Sequence, residues 1–350
     1  MFTPLRIPNA FVATDASSGA VAANEFLFAT AAGNVLVDPL PLDSTARNPD
    51  ERGGVAAVIV MTRDRLGAAR EVAGRYGAAI VDAPQHRDAL APGITAIRLR
   101  DQSDPNAFAI ALGEHRTVVV GDPLTGVPAG SLSLREAGGG DAVRAALGLR
   151  RILREDPETL LLSNGYPLFT GAYEALYRLL YETAGPAVHR INVDELDFRR
   201  GRAERPNQTL PFACADAEVG LAIGARKLGY RVSTLDPGDR FCPLHGHARE
   251  EELFFVIDGE PSVRMLTGTI RCRAGDFVAL PTGESGTHQL LNESNAPATV
   301  ILLARNEDVE ICYYPDSDKL LVDAPEPLTR QNRLLVKGSP ELDYYDGESG

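Results

Sequence analysis

Three of the six histidines of this chain, His245, His247 and His288, fall between Gly238 and Asn292. His245 and His247 are two residues apart, so on a β-strand both side chains leave the same face. Three carboxylates follow, Glu250, Glu251 and Glu252, and strand parity lets only some of them point inward. His288 returns from a later segment. Three imidazoles and one carboxylate facing one point can bind a divalent transition metal: Fe, Mn, Zn, Ni or Cu. Four protein ligands in an octahedral shell leave up to two positions open, which permits Lewis-acid or oxygen chemistry. The opposing reading is three ordinary core or surface histidines, and the scarcity of histidine elsewhere weighs against it.

No other arrangement competes. The four cysteines (Cys214, Cys242, Cys272, Cys312) form no CxxC pair, so neither a zinc ribbon nor a disulfide framework is indicated. Cys242 lies three residues before His245, but a histidine engaged on a metal cannot serve as a base for a thiol nucleophile. The run Gly138–Gly140 is not followed by Lys-Ser/Thr, and GxSxG and strand-linked GxGxxG motifs are absent. His86 and His115 stand alone in loop-like contexts. A net charge of −13 argues against nucleic acid or anionic lipid as a partner. No run of 18 apolar residues exists to span a membrane, and the N-terminus lacks a basic-then-apolar leader, so a cytoplasmic protein is expected.

These residues need a scaffold, and 350 residues predict two domains. Residues 1–190 read as α/β. A hairpin signal joins Phe26–Ala29 to Val35–Asp38, and Val55–Met61 is a continuous apolar run, the mark of a strand buried on both faces. A helix follows with Leu66, Ala69, Val72, Ala73 and Tyr76 on one side and Gly77 as its cap. Further strands are expected near 79–81, 94–99, 108–112, 117–120 and 159–162, with helices opened by Asp141 and Thr170. Residues 191–211, polar and charged with both signs, predict a linker. From 212 to 325 short strands alternate with glycine turns, which predicts an all-β sandwich or barrel. The polar tail 326–350 is expected to be weakly structured.

Two family resemblances emerge. Gly33-Asn-Val-Leu-Val-Asp-Pro39, Val58-Ile-Val-Met-Thr62, Val119-Val-Gly-Asp-Pro123 and Leu162-Ser-Asn-Gly-Tyr-Pro167 resemble the landmarks of the metallo-β-lactamase fold. That family's HxHxDH motif is replaced by Arg63-Asp-Arg-Leu-Gly-Ala-Ala-Arg70, and Ser163-Asn-Gly165 also lacks its histidine. Asp38 and Asp122 remain. The resemblance therefore implies the layered fold without the metal chemistry, with Asp122 as a structural residue satisfying a loop backbone.

Residues 238–292 resemble the two motifs of the cupin superfamily, which implies a jelly-roll barrel. In the first motif, Gly238 precedes His245 by one residue more than the pattern allows; His247, Glu252 and Gly259 follow at the pattern's spacing. In the second, Gly275, Pro281, Gly283, His288 and Asn292 fit, except that four residues rather than two separate Gly283 from His288. The resemblance favours Glu252 as the carboxylate, with Glu251 in reserve, and implies metal ligands His245, His247, Glu252 and His288. It also implies a homodimer. The expected function is that of a small-molecule metalloenzyme of the oxygenase, isomerase or lyase kind. The alternative is a non-enzymatic metabolite sensor whose first domain serves as an interaction platform.

Overall fold

The computed structural model describes residues 2–16, 21–42, 49–102, 104–135, 141–203, 212–324 and 333–338. The chain divides into two units, Met1–Arg190 with Ala222–Gly224, and Ile191–Leu221 with Ala225–Gly350. In the first unit the apolar runs become two mixed sheets. One orders the strands Thr3–Pro4, Ala10–Asp15, Ala23–Thr30, Gly33–Val37, Ala57–Ile59 and Ala79–Val81, the last three running parallel. The other orders Thr159–Leu162, Thr117–Val120, Phe108–Leu112, Ile94–Arg98 and Ala89–Ala91. Phe26, Phe28, Val35, Val37 and Ile59 of the first sheet meet Ile94, Phe108, Ile110, Val119 and Leu161 of the second in one core. The alternate residues of the first sheet, Leu27, Leu36 and Val58, pack on Ala69, Val72 and Ala73 of the helix Leu66–Tyr76. Period-2 and period-3.6 patterns thus sort side chains into a layered α/β unit.

Asp38 and Asp122 act here as acceptors for loop donors. The fully buried Asp38 carboxylate accepts from Met61 N (2.6 Å), Thr62 N (3.0 Å), Thr62 Oγ1 (2.8 Å) and Ser163 Oγ. Asp122 accepts from Arg63 N at 3.0 Å and from Arg135 Nη1 at 2.6 Å.

The second unit is strand-rich. An antiparallel six-stranded sheet orders Arg199–Ala203, Phe212–Glu218, Leu228–Leu235, Ala298–Arg305, Glu252–Asp258 and Phe277–Leu280. A three-stranded sheet orders Gly268–Arg271, Ser262–Met265 and His288–Leu291; a four-stranded one orders Gly246–His247, Glu310–Tyr314, Lys319–Asp323 and Arg333–Lys337. Leu235, Phe254, Val256, Val263, Leu280, Leu290 and Val300 form the core. The expected closed barrel is not formed: the sheets stay open. Between Leu235 and Gly246 the chain forms no continuous ladder: it meets its neighbours through the isolated bridges Phe212–Arg240, Arg240–Leu291 and His245–His288 and through scattered backbone bonds such as Phe241 N to Leu290 O (3.0 Å). Pro237 and Pro243 in this stretch have no N–H to extend a ladder.

Three boundaries also differ from expectation. Arg199–Ala203, inside the expected linker, is an edge strand paired with Phe212–Glu218, and Arg200 is tied to Asp236 (2.6 Å) and Asp239 (2.9 Å). Its mixed charges hide the strand because its residues Arg199–Gly201 are exposed. Arg333–Lys337 of the expected loose tail pairs with Lys319–Asp323. Ala222–Gly224 groups with the first unit although it lies within the expected β domain. Residues 204–211 of the linker and 326–332 and 339–350 of the tail lie outside the described residues, as does Gly138–Gly140.

The glycine and asparagine of the sequence motifs serve the backbone. Gly259 has φ +84°, and a Cβ there would lie 2.6 Å from the Pro297 carbonyl oxygen, so only glycine fits the turn after Glu252–Asp258. Asn292 is 1% exposed; its Nδ2 donates to Leu235 O (2.9 Å) and Ala296 O (2.8 Å), and its Oδ1 accepts from Ser294 N (3.0 Å) and Ser294 Oγ (2.7 Å). Asn292→Ala leaves these groups unpaired and is expected to cost about 3 kcal/mol, read as a lower urea midpoint. An unchanged midpoint would show that solvent replaces the amide.

Candidate metal centre

His245, His247, Glu252 and His288 come from three segments and meet in the open seam. His247 lies on the two-residue strand Gly246–His247, Glu252 opens a strand of the six-stranded sheet, and His288 opens a strand of the three-stranded one. The backbones of His245 and His288 are bonded both ways, His245 N to His288 O (3.0 Å) and His288 N to His245 O (2.8 Å). The rings lie close, with centroids 4.7 Å apart for His245 and His288 and 4.8 Å for His245 and His247. His245, His247 and Glu252 each offer an atom within 4.8 Å of the others. Glu252 Oε2 lies 2.9 Å from His288 Nε2 and 3.6 Å from His247 Nε2. Among the three adjacent carboxylates it is therefore Glu252 that reaches the Nε2 nitrogens of the histidines. Glu251 is exposed, and Glu250 turns to accept from Glu307 N at 3.1 Å.

Each imidazole has its Nδ1 engaged on the side away from Glu252. His245 Nδ1 lies 3.0 Å from Pro243 O and His288 Nδ1 lies 2.8 Å from Gly286 O. A carbonyl accepts only from an N–H, so Nδ1 carries a proton in both rings and Nε2 is the nitrogen left to meet an ion, His288 Nε2 being hydrogen-bonded to Glu252 until then. His247 Nδ1 faces Cys312 Sγ (3.5 Å), Glu310 Oε1 (3.6 Å) and Glu250 Oε2 (3.7 Å). Its Nε2 is buried and has no hydrogen-bond partner. Such an orphaned nitrogen is costly unless something binds it.

Burial, then the neighbouring imidazoles, pulls the His245 pKa down to about 4, so the ring is neutral at pH 7. Burial opposes the charge on Glu252, but the His288 hydrogen bond and the surrounding imidazoles hold its carboxyl below the ordinary range. Imidazole nitrogens beside an ionised carboxylate are the donor set a divalent transition metal takes. The residues fit such an ion.

The insertion before His288 folds into a single 3-10 turn, Glu284–Gly286. It aims the imidazole, because the Gly286 carbonyl is the acceptor for His288 Nδ1. A Cβ on Gly286 would lie 1.7 Å from the Pro281 carbonyl oxygen. Gly286→Ala is therefore expected to displace the turn, swing His288 and weaken Co(II) binding by at least about tenfold, by analogy with loss of an outer-shell partner. Unaltered affinity in an absorbance titration would show that the turn does not aim the ring.

The strand Glu310–Tyr314 contributes what spacing does not reveal. Its alternate residues Glu310, Cys312 and Tyr314 all face the histidines. Glu310 and Cys312 stand behind His247, and the Tyr314 ring stacks on His245 at 5.8 Å. The signal is present in the pattern Glu-x-Cys-x-Tyr, since residues two apart on a strand share a face. Burial, then the Glu310 carboxylate, pushes the Cys312 thiol up to about 12, so it stays protonated. The Cys242 thiol, 3.6 Å from His245 Nδ1, is likewise pushed up by burial and by Glu252. Neither is an activated nucleophile.

Residues 231–304 match the cupin domain family, so the C-terminal region carries a cupin domain. A germin-like protein, subfamily 2 member 2, of Arabidopsis thaliana is 28% identical over 126 residues, 33% of this chain and 56% of that protein. The chain thus spans about half the length of this curated relative. Similar solved structures include a cupin-superfamily sugar phosphate isomerase of Silicibacter pomeroyi (22% identical, 44% of this chain and 96% of that one, TM-score 0.37). They also include the polyketide cyclase RemF of Streptomyces resistomycificus (16%, 34% and 79%, TM-score 0.28) and an oxalate decarboxylase of Lactobacillus farciminis (17%, 33% and 32%, TM-score 0.25).

Proposed function

We propose that the second unit binds one divalent transition metal, Fe, Mn, Zn or Ni, through His245, His247, Glu252 and His288. We read the protein as a small-molecule metalloenzyme of the oxygenase, isomerase or lyase type. The observation that carries this reading is the buried Nε2 of His247, left without a hydrogen bond beside Glu252. Bound there, the metal would supply Lewis-acid polarisation of an oxygen-bearing substrate or a site for dioxygen. The chain's own part is to hold His245 and His288 by Nδ1, through the Pro243 and Gly286 carbonyls, so that Nε2 is the nitrogen that would meet the ion, and to keep Glu252 ionised.

The first unit, on this reading, is a metallo-β-lactamase-like domain without a metal, in which Asp38 and Asp122 tie loops together. Four free cysteines suit a reducing cytoplasm. A homodimer is supported by the edge strand Phe277–Leu280, where Phe277 is 70% exposed beside its cross-strand partner Phe255. The test is to load the protein anaerobically with Fe(II), add candidate diols, thiols and diketones, and follow oxygen uptake and product formation. Turnover supports the enzyme. Metal binding and ligand binding without turnover under any loading would favour the metabolite sensor instead.

A further inference from the structure

We propose that Glu310 is a positioning residue for this centre, its carboxylate clasping the segment 248–250 and so fixing the reach from His247 to Glu252. The proposal rests on the metal-binding reading above. Between these two residues the chain has no regular structure, so its N–H groups need acceptors from outside the segment. Glu310, 5% exposed, supplies them: Oε1 accepts from Ala248 N at 2.8 Å, Oε2 from Glu250 N at 2.9 Å, and Arg249 N lies 3.3 and 3.2 Å from the two oxygens. Three successive N–H groups converging on one carboxylate form an anion nest, closed here by a side chain of the same chain.

The clasp is fastened from a neighbouring strand. Glu310–Tyr314 pairs with Gly246–His247, Ala248 N also bonds Ile311 O at 2.9 Å, and Arg305 N bonds Glu251 O at 3.1 Å. The carboxylate that holds the segment also stands 3.6 Å behind His247 Nδ1, where a negative charge favours the N–H on that nitrogen and the lone pair on Nε2. His247, Glu310 and Cys312 by themselves resemble a second ligand set. Both Glu310 oxygens are already engaged by amides, so the group serves the backbone and the ring rather than a second ion.

The test compares the full-length parent with Glu310→Gln, using Co(II) absorbance titration and residue-resolved amide exchange of the metal-free protein. Glu310→Gln is expected to weaken Co(II) binding about 10–100-fold and to alter the visible spectrum. It should also speed exchange at Ala248, Arg249 and Glu250 while the strand Glu252–Asp258 keeps its protection. Glu310→Asp, which keeps the charge but shortens the reach by a methylene, carries the same test should Glu310→Gln not fold. Parent-like Co(II) affinity and spectrum in a folded variant overturns the proposal, as does parent-like exchange at the three amides. If the parent itself does not bind Co(II), the metal-binding reading fails and the positioning role falls with it, even where the exchange data show the clasp.

Discussion

The double variant His245→Ala/His247→Ala is expected to lose its metal, falling from about one equivalent per chain to below about a tenth when purified protein is assayed by elemental analysis. The two residues supply half of the proposed ligands, and their rings pack on each other at 4.8 Å. Removing both leaves Glu252 and His288, which already hydrogen-bond one another at 2.9 Å. Two donors cannot hold a divalent transition ion against dilution and competing chelators. Far-ultraviolet circular dichroism of the variant checks that the sheets persist. Equal metal content in parent and variant would sink the central assignment.

A comparably large effect is expected in the first unit, on stability. Asp38→Ala removes the acceptor of Met61 N, Thr62 N, Thr62 Oγ1 and Ser163 Oγ at a fully buried position. Orphaning several buried donors at once is expected to cost about 3–5 kcal/mol. Asp38→Asn keeps one acceptor oxygen, tolerates the φ of +48° and lets the hydroxyls rotate, so about 1–2 kcal/mol is expected. Urea unfolding followed in the isolated substitutions reads both. A loss under about 1 kcal/mol for Asp38→Ala would mean that water takes over the donors.

Much of the site is legible in the sequence, because its parts are set by short-range geometry. His245 and His247 share a side by strand parity, and the cupin-like spacing to Gly259 favours Glu252, with Glu251, which is exposed, in reserve. The inserted residues before His288 read as a departure from the motif, yet they form the 3-10 turn whose carbonyl aims the ring. Glu310 is not legible by spacing: it lies 58 residues beyond Glu252, and only strand pairing brings it behind His247. The apolar strands of the first unit are legible as buried runs such as Val118–Val120, whereas the strand at Arg199 is concealed by its charges. Closure is the feature that sequence periodicity predicts least well, since alternation fixes which face is buried but not whether the last strands join.

That open seam has a consequence for cohesion. Glu252 belongs to the six-stranded sheet, His288 to the three-stranded and His247 to the four-stranded, and the segment that leads into His247 joins the strand His288–Leu291 by isolated bridges rather than a continuous ladder. An ion held by all four side chains would act as a cross-link among three sheets, closing by coordination what the ladders leave unjoined. Its binding free energy would then be in part folding free energy. The centre would be a fastener of the jelly roll as well as its reactive point.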